Sequence, residues 1–205
     1  MQRLHSIIFV CTFIVLLNGC SRGPSRVKPP SIDPESAAAD AIERYDANKD
    51  GTLDTAELGK CPAVLATQKA YDTDGNGKIT AEEFAARITS LRKFGVGMTR
   101  LMCKVRLNDK PLQGATVDFE PESYLGSEIK SAHGTTDDVG MTPIAIATEE
   151  LPSDLQDLKG LHYGTYKVRV THPKIKLPPK YNTETTLGYE TRIGDPYATF
   201  ELKTP

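Results

Sequence analysis

Two stretches of twelve residues, DANKDGTLDTAE at 46–57 and DTDGNGKITAEE at 72–83, place oxygen-bearing side chains at the same spacing. In each stretch Asp or Asn stands at positions 1, 3 and 5, glycine at position 6 and glutamate at position 12. A hard divalent cation takes six to eight oxygen ligands at about 2.3 to 2.6 Å, so a short segment binds it only by curling alternate residues toward one centre. The spacing therefore predicts two metal-binding loops.

Each loop is expected to supply three side-chain oxygens, one backbone carbonyl and a bidentate glutamate, with position 9 acting through water. In the first loop these ligands are Asp46, Asn48, Asp50, the carbonyl of Thr52, Asp54 through water, and Glu57. In the second loop they are Asp72, Asp74, Asn76, the carbonyl of Lys78, Thr80 through water, and Glu83. Only the main chain binds at position 7, so a lysine is compatible with binding there.

These residues resemble the EF-hand family over residues 34–94, and the resemblance implies two Ca²⁺ sites. The alternative is a pair of acidic surface turns, which use the same residue types. Leu53 and Ile79 favour the calcium interpretation, because both stand at position 8, where paired EF-hands form a short antiparallel contact. The loops are only fourteen residues apart, and Gly59 and Pro62 interrupt this link, so the helix leaving the first loop is expected to be about one turn long.

Charge is distributed unevenly along the chain. The net charge is -2 over 205 residues, but residues 33–90 carry twelve acidic and six basic side chains, whereas residues 91–205 carry fifteen of each. The acidic excess coincides with the loops, where two divalent ions would offset it. No basic patch indicates nucleic acid as a partner.

The amino terminus has the features of a targeting segment. Arg3 and His5 precede the apolar run 7–17, which at about 1.5 Å per residue covers roughly half of a ~30 Å hydrocarbon core. Residues 1–19 are therefore predicted to be a signal peptide. The sequence Leu-Asn-Gly-Cys ending at Cys20 resembles the lipobox of bacterial lipoproteins, although an ordinary secretory signal is the alternative. The resemblance implies a lipidated Cys20 and a membrane lipid anchor in the cell envelope, and Ser21 after it favours the outer membrane.

Residues 20–32 contain three prolines and few apolar side chains, which predicts an extended tether. Two cysteines remain beyond it, Cys61 and Cys103. A disulfide between them is one possibility in an oxidising compartment. The alternation of apolar residues over 101–107 favours the other possibility, a buried Cys103 thiol.

Helical signals continue to about residue 94, and a period of two follows from residue 99. Helices are expected from Asp33-Pro34 to Tyr45, from Pro62 to Tyr71, and from Ala81 to about Phe94. Strands are expected at 101–107, 115–119, 141–147, 163–171, 189–193 and 197–202. The predicted fold class is α+β and multidomain, with an EF-hand pair at 33–95 followed by an antiparallel β-sandwich at 99–205.

The carboxy-terminal half also resembles carboxypeptidase-regulatory-like, transthyretin-like sandwiches. The resemblance rests on the segment 107–115 (LNDKPLQGA), the T-D-x-x-G turn at 136–140, the G-x-Y-x-V-x-V strand at 164–170 and the run 178–181. Asp109 departs from the glycine usual in that family's first turn, and Met141-Thr142-Pro143 is an unusual beginning for the strand after the T-D turn. The resemblance implies a module that is generally non-catalytic.

No pattern in the chain indicates an enzyme. His133, His162 and His172 are scattered, and no nucleophile elbow, zinc helix or phosphate-binding glycine loop occurs. The expected function is therefore a calcium-binding, lipid-anchored envelope protein with a structural or scaffolding role. One alternative is an adhesion or carbohydrate-binding protein, in which the sandwich binds a cell-envelope polysaccharide or protein and the EF-hands are only a spacer. Tyr181, Tyr189 and Tyr197 are the candidates for a face that stacks on sugars. Another alternative is a calcium sensor that exposes an apolar groove.

Overall fold

The computed structural model describes residues 27–93 and 97–204. The predicted signal peptide, residues 1–19, and the predicted lipidation site Cys20 lie outside the described residues. Within the described ranges, no helix has both the length and the apolar character needed to cross a membrane.

Four α-helices lie between residues 27 and 93, and their caps explain where the two long ones begin. The helices are α1 Pro34–Tyr45, α2 Pro62–Ala66, α3 Gln68–Tyr71 and α4 Ala81–Arg92. The Asp33 side chain accepts a hydrogen bond from the Ser36 N–H, with proline in the first turn of α1. Thr80 and Glu83 form a reciprocal capping box at the start of α4.

The link between the two loops is broken into short pieces, as Gly59 and Pro62 suggested. The helix leaving the first loop is a single 3-10 turn, Glu57–Lys60, which agrees with the expected one-turn element. The single helix expected over 62–71 is divided at Thr67, whose hydroxyl donates to the Ala63 carbonyl, and this bond closes α2 locally.

The described residues also form twelve short strands and three further 3-10 turns, at Ser123–Leu125, Thr148–Glu150 and Pro179–Tyr181. The strands are β1 Thr52–Leu53, β2 Ile79–Thr80, β3 Met98–Thr99, β4 Leu101–Leu107, β5 Lys110–Pro111, β6 Thr116–Pro121, β7 Ala132–Thr135, β8 Met141–Ile146, β9 Leu161–His162, β10 Thr165–Thr171, β11 Leu187–Glu190 and β12 Tyr197–Leu202. In β4, β10 and β12 buried and solvent-facing residues alternate, as expected for strands with one face on a core.

Strands β3 and β9 pair with each other, and the other carboxy-terminal strands form one sheet that curls on itself. Its order is β11-β10-β6-β7-β8-β4-β12, with β5 beside β4, and every pair is antiparallel except β4 with β12. The rings of Phe119 on β6 and Phe200 on β12 lie 6.2 Å apart although three strands separate them in the sheet. The two halves of the sheet therefore face each other across an apolar core, in a sandwich-like arrangement.

The helices pack directly against this sheet. Buried residues of both parts belong to one continuous apolar cluster. The backbone of α2 crosses β11 so closely that a Cβ added at Gly188 would lie 2.1 Å from the Ala63 nitrogen. Phe84 of α4 also meets Tyr124 edge-on, with ring centroids 5.0 Å apart. The apolar face of the helical part is thus covered by the sheet of the same chain.

The described part of the predicted tether also contacts the fold. Ile32 is buried in the core, the Ser31 N–H donates to Glu128, and the Val27 carbonyl accepts from the Gly97 N–H at 2.8 Å. A Cβ at Gly97 would lie 2.2 Å from the Lys28 carbonyl oxygen, which leaves room only for glycine. For residues 27–32 the structure therefore differs from the expected free tether, because backbone hydrogen bonds offset the low apolar content.

The α+β fold class is confirmed, and the differences from the expected elements are local. No strand was expected between residues 119 and 141, but β7 lies there and pairs with both β6 and β8. The strand expected at 189–193 lies two to three residues earlier, at Leu187–Glu190. Cys61 and Cys103 are both buried free thiols, so no disulfide joins them.

Candidate metal centre

The carboxylate at position 1 organises each loop in the same way. Asp46 accepts backbone hydrogen bonds from Lys49 at 2.6 Å and from Gly51 at 2.8 Å. Asp72 accepts from Gly75 at 2.8 Å and from Gly77 at 2.9 Å. The chain therefore wraps around the first ligand in both loops, and this wrapping turns the following side chains inward.

The curl depends on backbone conformations that favour glycine. Position 6 has a φ of 82° at Gly51 and 84° at Gly77, in the left-handed region where glycine has no Cβ penalty. Position 4 has the same sign of φ in both loops, at Lys49 with 61° and at Gly75 with 76°. The first loop thus carries a strained lysine where the second has a glycine.

The glutamate at position 12 closes each loop. Glu57 accepts from the Ala47 N–H at 2.9 Å through one oxygen and from the Asp54 N–H at 3.0 Å through the other. Glu83 repeats this arrangement with the N–H groups of Thr73 and Thr80, at 2.8 and 3.0 Å. Burial acts to raise the pKa of Glu83, but these hydrogen bonds outweigh it and lower the pKa.

Pairing between the loops occurs where position 8 predicted it. Strands β1 and β2 are antiparallel, with Thr52 opposite Thr80 and Leu53 opposite Ile79. Both position-8 side chains are fully buried. The two loops are consequently held side by side as one unit.

The second loop brings its carboxylates together. Oxygens of Asp72, Asp74 and Glu83 all lie within 4.8 Å of one another, and Asn76 donates to Asp74 at 2.8 Å. Three like charges this close repel one another unless a cation lies between them. The oxygen-only ligand set is the one that Ca²⁺ prefers, so these residues fit the ion implied by the loop pattern.

The first loop holds its carboxylates differently. Within the described ranges, Asp46, Asp50 and Glu57 are not part of a comparably tight group of carboxylates. Asp50 instead forms an ion pair with Lys78 of the second loop, with 2.7 Å between Oδ2 and Nζ. The hydrogen bond from Lys78, followed by those from Thr52, holds the pKa of Asp50 well below its usual range. Asn48 lies beside it and donates from Nδ2 to the same Oδ2 at 3.3 Å.

Two buried carboxylates outside the loops connect the helices to the sheet. Tyr45, the residue before the first loop, donates its hydroxyl to Glu122 at 2.8 Å, and Lys167 lies 3.5 Å from the same carboxylate. Four residues after Glu83, Arg87 donates through both Nε and Nη2 to Glu190. The side chains of Glu122 and Glu190 are 0% exposed. Each loop is thus joined to the sheet through a neighbouring helix.

These connecting residues were not predicted from sequence. Tyr45 and Glu122 are 77 positions apart, and Arg87 and Glu190 are 103 apart, so no local spacing links the partners. Burial is the main cause that raises the pKa of Glu122, and Lys167 and Tyr45 act in the opposite direction. A charged residue at an inward strand position is the only sequence signal that could have indicated Glu190.

Two cysteines and three tyrosines complete the predicted candidates. Cys61 donates weakly to Glu122 at 3.6 Å, and burial with the Glu122 charge raises the pKa of this thiol. Burial alone raises the pKa of Cys103 to about 12.

The three tyrosines do not share an exposed face. Tyr181 is buried, and Tyr189 packs against Phe119 with ring centroids 5.6 Å apart. Of the three, only Tyr197 is well exposed, at 60%.

Comparisons with known proteins match the loop region. Residues 38–62 and 69–88 match the family model described as EF hand. The chain is similar to S-modulin from Aquarana catesbeiana, with 35% identity over 75 residues that cover 32% of this chain and 37% of that protein. The chain thus spans little more than a third of that curated relative.

Among solved structures, the chain is similar to one titled "The Bacillus anthracis TIE protein", with a TM-score of 0.32 and 21% identity. The similarity covers 53% of this chain and 16% of that one. The two EF-hand matches enclose residues 46–57 and 72–83, and they support calcium binding by this part of the chain.

Proposed function

We propose that this protein is a lipid-anchored, extracytoplasmic calcium-binding protein with a structural or scaffolding role and no catalytic activity. Calcium binds at both loops, through the ten predicted ligands, and orders the helical part against the β-sandwich. The observation that carries the proposal is the repeated curl of both loops around Asp46 and Asp72, together with the EF-hand matches that enclose them. Cys20 carries the lipid that anchors the chain in the envelope, on the outer membrane.

The covered apolar face favours a structural role over a sensor. A calcium sensor of this class opens its helix pair to expose an apolar groove for a target. Here Tyr124, from the sheet part, packs against Phe84 and lies 6.5 Å from Tyr45, in both cases edge-on. Opening the helix pair would separate these rings and break the buried hydrogen bond from Tyr45 to Glu122. The free energy needed to open the pair is therefore high.

Calorimetric titration of the protein with Ca²⁺ tests the binding. We expect two sites with dissociation constants on the order of 10⁻⁴ to 10⁻³ M, the range of extracellular modules. Glu57→Gln and Glu83→Gln should each remove one site, because each deletes a bidentate ligand charge. Glu82→Gln, at the exposed position beside Glu83, is the matched control and should keep both sites. An absence of heat at millimolar calcium would contradict the proposal.

Lipid attachment needs a separate experiment in a bacterial host. Growth with labelled palmitate should label the wild-type chain in the membrane fraction. Cys20→Ser should abolish the label and release the protein from the membrane, because the thiol is the predicted point of attachment. A labelled Cys20→Ser variant would show that the anchor lies elsewhere.

A further inference from the structure

The pairing of the two loops brings a lysine of one loop to the acidic ligands of the other. In the antiparallel register of β1 and β2, Leu53 faces Ile79, so the next positions along are Asp54 and Lys78. From there the Lys78 ammonium reaches Asp50, with 2.7 Å between Nζ and Oδ2. The Lys78 ammonium therefore lies at the edge of the first candidate metal site.

The second loop has no equivalent. By the same pairing, position 7 of the first loop faces position 9 of the second, and the two residues are Thr52 and Thr80. Thr52 is short and uncharged, and its hydroxyl donates to Asp50 of its own loop at 2.6 Å. The second loop keeps Asp72, Asp74 and Glu83 grouped within 4.8 Å, with no cationic side chain bonded to them among the described residues.

We propose that Lys78 determines the order in which the two loops bind calcium: the second loop fills first, and the first fills only when calcium displaces the Lys78 ammonium from Asp50. This inference rests on the proposed calcium-binding function. One residue then has opposite effects at the two sites, because its carbonyl is a predicted ligand in the second loop while its side chain competes with the ion in the first.

The size of the effect follows from the exposure of the ion pair. The side chains of Lys78 and Asp50 are 47% and 34% exposed, so the pair is partly screened by solvent. Exposed ion pairs change an equilibrium constant by roughly 1.5- to 5-fold. We expect the affinity of the first loop to be reduced by a factor in this range.

The test is a calcium titration of the full chain, monitored by the ¹⁵N-resolved NMR signals of backbone amides. The amides of Gly51 and Gly77 report on one loop each, since each donates to the position-1 carboxylate of its own loop. In the wild type, the Gly77 signal should reach its midpoint at lower calcium than the Gly51 signal. Lys78→Met keeps the backbone carbonyl, so it should lower the Gly51 midpoint about 1.5- to 5-fold and lower the Gly77 midpoint by less.

Lys60→Met is the matched control. Lys60 is an exposed lysine three positions after Glu57, and it has no ion-pair partner among the described residues. Removing its charge should leave the order and both midpoints unchanged within error.

Several results would overturn the inference. They are a Gly51 signal that moves before or together with Gly77 in the wild type, a Gly51 midpoint that Lys78→Met leaves unchanged, or an equal shift on Lys60→Met. These results would leave calcium binding itself intact. Two amides that do not respond to millimolar calcium in any variant would instead overturn the proposed function, and the inference with it.

Discussion

At the scale of single residues, the loops are built by backbone N–H groups that converge on one carboxylate. The pattern is repeated with different residues, since Lys49 and Gly75 both donate to the position-1 aspartate of their own loop. These N–H donors lie within five positions of Asp46 or Asp72. The loop pattern is therefore local and could be predicted from the sequence. The positive φ at Lys49 could not be predicted, because lysine does not favour the left-handed conformation.

Gly77→Ala should destabilise the second loop by about 1 kcal/mol, the lower end of the cost of a left-handed conformation for an L-residue. A Cβ at Gly77 meets nothing within 4 Å, so the expected loss is conformational and not steric. The control is Gly59→Ala, at another glycine with open space around it but without a positive φ. Urea denaturation of both variants gives the free energies of unfolding. Equal values for the two variants would contradict this account.

His162 should make stability depend on pH. Burial lowers the pKa of His162 below its ordinary value of 6.5, and the hydrogen bond to Gly97 acts in the opposite direction. Because a carbonyl oxygen only accepts, Nδ1 donates to it, at 3.0 Å. Between the lowered pKa and 6.5 the unfolded chain binds more protons than the folded chain, so the free energy of unfolding falls as the pH decreases through this window.

Melting temperatures at pH 7.5 and pH 5.5 measure this dependence. His162→Gln keeps a donor for the Gly97 carbonyl but cannot be protonated, so its melting temperature should decrease less than that of the wild type. His133→Gln, at an exposed position, should keep the wild-type decrease. The prediction is wrong if the two variants respond to pH in the same way.

At the scale of elements, the helices that flank the loops are attached to the sheet by buried charges. Arg87 of α4 and Glu190 of β11 form one attachment, and Tyr45 of α1 with Glu122 forms the other. The helices themselves were predictable from their caps and apolar spacing. Their docking was not, because a buried charge is stable only with a partner that the fold brings from far along the chain.

Arg87→Met should destabilise the protein by about 3 kcal/mol, because it leaves the Glu190 carboxylate buried without its partner. Replacing both residues, as Arg87→Met with Glu190→Met, should recover most of the loss. Arg169→Met is the control, since Arg169 and Glu120 form an ion pair at 2.8 Å with both side chains more than 40% exposed. It should cost less than about 1 kcal/mol. Chemical denaturation of the wild type, Arg87→Met, Glu190→Met and the double variant gives the coupling energy. A value near zero would contradict the buried attachment.

At the scale of the whole molecule, the helices and the sheet share one apolar core. Residues from Ile32 to Leu202 belong to the same buried cluster. Domain boundaries at 33–95 and 99–205 stay a prediction, but the shared core means that neither part buries its apolar face alone. A ligand of the loops therefore acts on the stability of the sheet as well.

Calcium should consequently raise the melting temperature of the entire chain in a single transition. Binding at a concentration 100 times the dissociation constant adds about 2.7 kcal/mol per site. For a chain of this size that is about 5 to 10 °C per site. Circular dichroism follows the helices and the strands separately, and EDTA should reverse the shift in both. Two transitions, of which calcium moves only one, would show that the parts unfold independently.

The sequence by itself determined the loops, their pairing and most of the strands of the sandwich. Loop ligands lie within twelve residues, and strands reveal their buried face by a period of two, so both signals are local. The strand at Ala132–Thr135 was missed because its polar composition lacks that alternation. Tertiary structure decided the rest: the docking of α2 on Gly188, the buried Glu122 and Glu190, and the contact of Lys78 with Asp50. Each depends on partners that only the folded chain brings together, because their separation in sequence leaves no periodic pattern.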